Sequence, residues 1–222
     1  MLAEANYLPP ISYMILGTKY TCWQIEQYAN YQKSGCRNRC YIATSQGTLL
    51  LSIPLEKGKH QRQLMRDVRI SYAYDWQKLH WQSLCTAYRS SPFFEFLEED
   101  FYPFYHKKTT PFLLDFNLSL TRVLLDLLKI KPDISLSSQY LPPDLAHNGT
   151  ENLDIRHLNL SPQKLDQQAY PIPLLPSYRQ VFGEKTGFLP NLSIVDPLFN
   201  IGPVQLSVLL KNASFEIPIP EP

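Results

Sequence analysis

Residues 35–55 read GCRNRCYIATSQGTLLLSIPL, two strand-like runs on either side of Ser45-Gln46-Gly47. Apolar residues crowd 39–43 and 48–55, and a short turn with glycine between such runs predicts an antiparallel hairpin. Pro54 ends the second run, because proline has no N–H to give to a ladder. Upstream, Thr21, Trp23 and Ile25 alternate with polar neighbours in the strand period. Residues 1–6 are extended, Pro9-Pro10 stops them, and residues 11–16 form a short helix that Gly17 can close. Downstream, residues 68–72 alternate again and predict a further strand.

Helical periodicity then takes over. Asp75 stands where it can cap a helix over 76–88, and a second, acidic and aromatic helix covers 93–105. A third spans 114–129, with apolar residues at 113, 116, 120, 123, 124, 127 and 128 on one stripe. Residues 134–136 form a short strand. The proline-dense stretch 141–176 is an irregular excursion and a candidate mobile lid. Beyond it, 178–182 are extended, and Ser193 and Asp196 have the spacing of a capping box. Gly202-Pro203 then breaks the helix before a last one over 204–211. Strands followed by helices, with a strand among the helices, predict an α/β fold. The expected arrangement is one domain over 1–222, a mixed sheet with an antiparallel hairpin packed by several helices; α+β is the alternative.

Composition narrows the function. The 222 residues are 44% hydrophobic and 18% charged, with a net charge of +1. That supports a core but not the basic excess of a dedicated nucleic-acid binder. Lys57, Lys59, Arg62, Arg66 and Arg69 form a basic run without interleaved aromatics, which reads as a solvated loop, so no nucleic-acid partner is expected. No stretch approaches the ~20 apolar residues of a membrane span. Residues 1–10 lack a signal-peptide pattern, so a cytoplasmic protein with reduced cysteines is expected. The surplus of 14 Tyr, 11 Phe and 19 Pro over 8 Gly implies a filled core or lined pocket and many fixed loops.

Cys36-Arg37-Asn38-Arg39-Cys40 admits two chemistries. A zinc clip needs four ligands; Cys36 and Cys40 offer two at a wide spacing, while Cys22, Cys85 and the five histidines are scattered. No metal site is expected. For an anion the arginines serve better. In a strand Arg37 and Arg39 share a face, Lys33 can approach it, and two guanidinium forks can hold phosphate or carboxylate. Alternatively an arginine pairs with an acid such as Asp196 or Glu26 and ties a loop down. His80 lies on an apolar helix face, as a satisfied core residue or as an acid–base catalyst. The helix start near Asn191, Ser193 and Asp196 can favour an anion, or its residues can simply cap it. No glycine-rich phosphate loop is present, which argues against Rossmann dinucleotide binding, and no cofactor is expected.

Several segments together resemble the WbqC-like protein family: YLPPISYM, YQKSGCRNRCYI, WQKLHWQSLCTAY with SPFFE, LLDFN, and GFLPNLSIVDPLFNIGP, in the family's order across nearly the whole chain. The resemblance implies a place in cell-surface polysaccharide or O-antigen biosynthesis in bacteria. It also implies candidate substrate-binding residues Tyr7, Lys33, Arg37, Asn38, Arg39, Trp81, Ser193 and Asn200, beside His80 and Asp196 as catalytic candidates. Ala3-Glu4-Ala5 departs from the more apolar first strand expected of the family. The resulting expectation is a transferase acting on a nucleotide-sugar or other phosphorylated donor; the alternative is a non-catalytic binding or assembly protein of the same pathway.

Overall fold

A computed structural model describes residues 1–56, 63–108, 110–142, 153–167 and 172–213. The elements run β1 (Leu2–Ala3), α1 (Ile11–Gly17), β2 (Cys22–Ile25), β3 (Arg39–Thr44) and β4 (Gly47–Ser52), then α2 (Trp76–Tyr88), α3 (Phe94–His106), α4 (Leu113–Leu128), β5 (Asp133–Leu136), α5 (Gly183–Thr186) and α6 (Val195–Asn212). The fold is mixed α/β. Strands β3 and β4 make the expected hairpin, in register from Arg39 opposite Ser52 to Thr44 opposite Gly47.

The other strands are parallel. β2 is central, pairing with β1 through Leu2–Gln24 and with β5 through Cys22–Asp133. A fourth segment extends the sheet beyond β1: the Leu2 N–H donates to the Leu153 carbonyl at 2.8 Å and the Ile155 N–H to the Leu2 carbonyl at 2.9 Å. The spatial order is therefore β5, β2, β1 and residues 153–155, all running one way. Parallel strands need crossovers that cover their faces. Helix α1 supplies the first, and all seven of its residues are buried. Trp23 and Ile25 fill the sheet side, with the small Ala3 and Ala5 beside them. Helix α6 packs against α1, α2, α3, α4 and β3, so the core is built around its first half. Gly202 breaks α6 as expected. Its φ of 77° suits glycine, and a Cβ there would meet the Phe93 ring at 2.7 Å.

Three local expectations fail for physical reasons. Residues 68–72 form no strand; a 3-10 turn over Met65–Asp67 leads to single bridges, Leu55 to Ile70 and Arg69 to Phe112. Asp75 makes no capping hydrogen bond, because its ψ of 55° is far from the extended conformation a cap needs. The capping box is also absent: the Ser193 hydroxyl donates to the Leu8 carbonyl and Asp196 turns inward. Of the 141–176 excursion, 143–152 and 168–171 lie outside the described residues, as do 57–62 of the basic run. No described helix is long and apolar enough to cross a membrane.

Gly17 closes α1 against the indole of Trp23, whose Nε1 donates to the Gly17 carbonyl at 3.0 Å. A Cβ at Gly17 would overlap that fully buried ring. Gly17→Ala should therefore cost about 3 kcal/mol by overpacking. Urea unfolding measures it; a loss below about 0.5 kcal/mol would mean that the indole can step aside.

Candidate functional site: a cleft at the carboxyl ends of the parallel strands

The carboxyl ends of the four parallel segments converge. Glu4 and Asn6 follow β1, Glu26 follows β2, Tyr140 lies beyond β5, and Arg156 follows residues 153–155. Here a cavity of about 240 Å³ opens, lined by Glu4, Asn6, Arg37, Asp154, Arg156 and Asn159 among others. From β1 the chain adds strands outward on one side, then returns to place 153–155 on the other. The cleft thus sits where the strand order reverses, which is where open parallel sheets bind ligands.

Arg156 closes one wall. Its Nε and Nη2 grip both oxygens of Asp154, and its Nη1 donates to Glu26 at 3.1 Å and to the Leu141 carbonyl at 2.7 Å. Glu26 is fully buried and saturated. It also accepts from the Tyr28 and Leu141 N–H groups and from the Ser137 hydroxyl. On the opposite wall Arg37 pairs with Oε2 of Glu4 and donates to the Ser34 carbonyl at 2.6 Å. Burial pushes the Glu4 carboxyl above its ordinary range, against the pull of Arg37. Among the described residues Oε1 of Glu4 meets no donor.

The residues singled out from the sequence do not all meet here. Arg37 lines the cleft, and Lys33 is exposed between the lining residues Gln32 and Ser34. The partner of Arg37 is Glu4, and Arg39 does not line the cavity. Asn38 turns away, accepting from the Tyr31 hydroxyl and donating to the Ile53 carbonyl.

His80 is sealed in the core. The Tyr7 hydroxyl lies 2.9 Å from both His80 Nδ1 and the Tyr105 hydroxyl, and Trp76 packs edge-on to the imidazole. Burial lowers the His80 pKa to about 4, so it is neutral at pH 7. Trp81 stacks on Tyr105 and packs against Phe94 and His106.

Asp196 is a third, separate centre. It accepts from Tyr88 at 2.9 Å, Tyr178 at 2.6 Å and Gln180 at 2.9 Å, and burial raises its pKa against those bonds. Three donors leave it little capacity for a substrate. Tyr178 and Gln180 also wall a second hollow of about 290 Å³. Asn200 donates to the Asp196 carbonyl at 2.7 Å.

The buried thiols of Cys36 and Cys40 are pushed up, that of Cys36 to about 12, opposite to what a thiolate ligand needs. Among the described residues no group of His, Cys, Asp or Glu is placed to hold a metal ion.

Sequence reasoning missed Glu4, Arg156 and Asn159. The available signal was a charged residue just after three of the four parallel segments, Glu4, Glu26 and Arg156, but two of the four segments are too short to show a strand period.

The model of the WbqC-like protein family matches residues 4–170. This chain belongs to the WbqC-like family. The match covers Glu4, Arg37 and Arg156, and stops short of Asp196. An uncharacterized protein of Mycobacterium tuberculosis, Rv1507c, is 28% identical over 222 residues, covering 90% of this chain and 93% of that protein. No solved structure matches.

Two outcomes follow from this geometry. Removing the Arg156 charge breaks its ion pairs with buried Glu26 and Asp154, so Arg156→Leu should lose about 3–5 kcal/mol in urea unfolding. His80 has a folded pKa below its ordinary 6.5, so the unfolded chain binds its proton first as pH falls. Stability should drop by about 3 kcal/mol from this group between pH 6.5 and 4. Glu4 and Asp196, with raised pKa values, contribute the opposite sign. The difference in slope between wild type and His80→Asn therefore isolates the imidazole, and identical slopes would refute its burial as a neutral base.

Proposed function

We propose that this WbqC-like protein is a transferase of bacterial cell-surface polysaccharide assembly. In this reading it acts on a sugar carried by a phosphate and holds that sugar in the cleft at the carboxyl ends of the parallel strands. The observation that carries the reading is the cleft's lining. Glu4, Asn6, Asp154, Arg156 and Asn159 bring carboxylates, amides and a guanidinium into about 240 Å³ at the reversal of strand order. Planar polar groups of this kind bond adjacent sugar hydroxyls as both donors and acceptors. The charge is largely compensated in place, Arg37 by Glu4 and Arg156 by Asp154. A neutral, hydroxyl-rich ligand suits such a wall better than bare phosphate. The phosphate belongs at the mouth, where Lys33 and His157 are exposed. The family's association with polysaccharide gene clusters points the same way.

The binding-protein alternative is weakened by where the aromatic side chains go. Trp23, Tyr7, Tyr88, Phe94, Phe101, Phe116 and Phe199 are fully buried, so core filling absorbs much of the aromatic surplus. Thermal unfolding with UDP-, GDP- and dTDP-linked hexoses tests the reading. At least one donor should raise Tm more than its free nucleotide does, by mass action. An equal response to nucleotide and nucleotide sugar would mean that the sugar does not enter the cleft. Release of nucleoside diphosphate separates a transferase from a protein that binds the same donor and leaves it intact.

A further inference from the structure

We propose that Glu4 is the general base of the cleft, taking the proton from the acceptor hydroxyl, and that Arg37 is the residue that positions it. The assignment rests on the reading above, in which the cleft holds a phosphate-linked sugar.

Comparison of the carboxylates around the sheet carries the argument. Glu26 accepts four hydrogen bonds and is fully buried. Asp154 has both oxygens on Arg156. Asp196 has three donors and lies outside the cavity. Glu4 differs from all three: it lines the cavity, Arg37 holds one oxygen, and the other meets no donor among the described residues. A carboxylate with one oxygen fixed and one free toward a ligand can accept a proton without reorganising. The backbones behind the pair are also pinned, because Asn117 Nδ2 donates to the Ala5 carbonyl at 3.1 Å and to the Arg37 carbonyl at 2.7 Å.

The groups facing Glu4 come from every side: Arg37 from the loop before β3, Arg156 beyond residues 153–155, Glu26 at the end of β2, and Tyr13 from α1. Burial outweighs both guanidinium groups in setting its proton affinity. Its titration therefore lies above that of an exposed glutamate, closer to neutral pH, which favours proton transfer. His80 cannot substitute, being sealed between Tyr7 and Trp76. His157 is the competing base, exposed at the mouth.

In the step itself, the acceptor oxygen forms a bond to the anomeric carbon as its proton passes to Oε1 of Glu4. The bond from that carbon to the phosphate oxygen breaks, and its electron pair leaves on the nucleoside diphosphate. The proton then passes to solvent. With water in place of the acceptor, the same step is donor hydrolysis.

Two measurements on the full chain test this. The first needs no substrate: a water-soluble carbodiimide with glycinamide labels accessible carboxyls, located by peptide mass spectrometry. Glu4 should label at least about ten times faster than Glu26, Asp154 and Asp196. Labelling as slow as the buried three overturns the proposal, whether or not any Glu4 variant folds.

The second compares wild type, Glu4→Gln and His157→Asn in nucleoside diphosphate release from the hexose donors. Glu4→Gln should lose about a hundredfold or more and flatten the acid side of the pH–rate profile, while the donor still raises Tm. A wild-type rate and profile in Glu4→Gln, or a flattened acid side only in His157→Asn, removes Glu4 from the chemistry and leaves the cleft as the binding site. If no donor raises the Tm of wild type, the proposed function falls, and the labelling experiment alone decides whether Glu4 is an open, proton-accepting group.

Discussion

The Arg156 guanidinium, enclosed by Asp154, Glu26 and the Leu141 carbonyl, ties three separate pieces of chain at one end of the parallel sheet. Residues 153–155 reach the sheet through bonds to Leu2, and the ion cluster ties down their far end. Burying one guanidinium among two carboxylates is favourable only because nearly every lone pair and N–H is met. That satisfaction also decides function. Glu26 is used up in holding the cleft together, whereas Glu4 keeps an oxygen that meets no donor among the described residues.

Much of the fold was legible because it is written in local periods. The hairpin of 39–52 and the helices α2, α3 and α4 follow from alternation, turn chemistry and helical stripes. The parallel sheet was not. β1 has two residues, the fourth segment joins by a single bridge, and the pairing partners of Leu2 are 22 and 152 positions away, at Gln24 and Asp154. A run that short carries no period, and parallel pairing leaves no turn signature. Arg156 was hidden for the same reason, inside an excursion that resembles loop. Ala3-Glu4-Ala5 read as a departure from an apolar strand; it supplies two small residues against the core and the cleft's open carboxylate.

The candidate residues Tyr7, His80, Ser193 and Asp196 all bond to groups within the fold. A chain with 19 prolines and strands of two to six residues leaves many backbone groups outside ladders. Side chains must meet them. Asn38 donates to the Ile53 carbonyl, Ser193 to the Leu8 carbonyl, and Asn191 spans the Ser12 N–H and the Leu160 carbonyl. Leu8 holds a φ of 41°, so its bond to Ser193 secures a strained turn as well. In such a fold a polar motif is as much a fastening as a site, and sequence alone does not separate the two.

The same fastenings explain how a small cleft can be stiff. Asn117 stands on α4, a long and well-packed helix, and its amide reaches the backbone one residue past Glu4 and the backbone of Arg37 itself. The backbones that carry the acid and its guanidinium partner are therefore anchored to the core, and the ion pair orients the carboxylate between them. Were the attraction alone responsible, an incoming ligand that competed for Arg37 would pull the pair apart. Because the backbones are pinned, a ligand meets a carboxylate already oriented and partly desolvated, and little reorganisation remains at the moment of proton transfer.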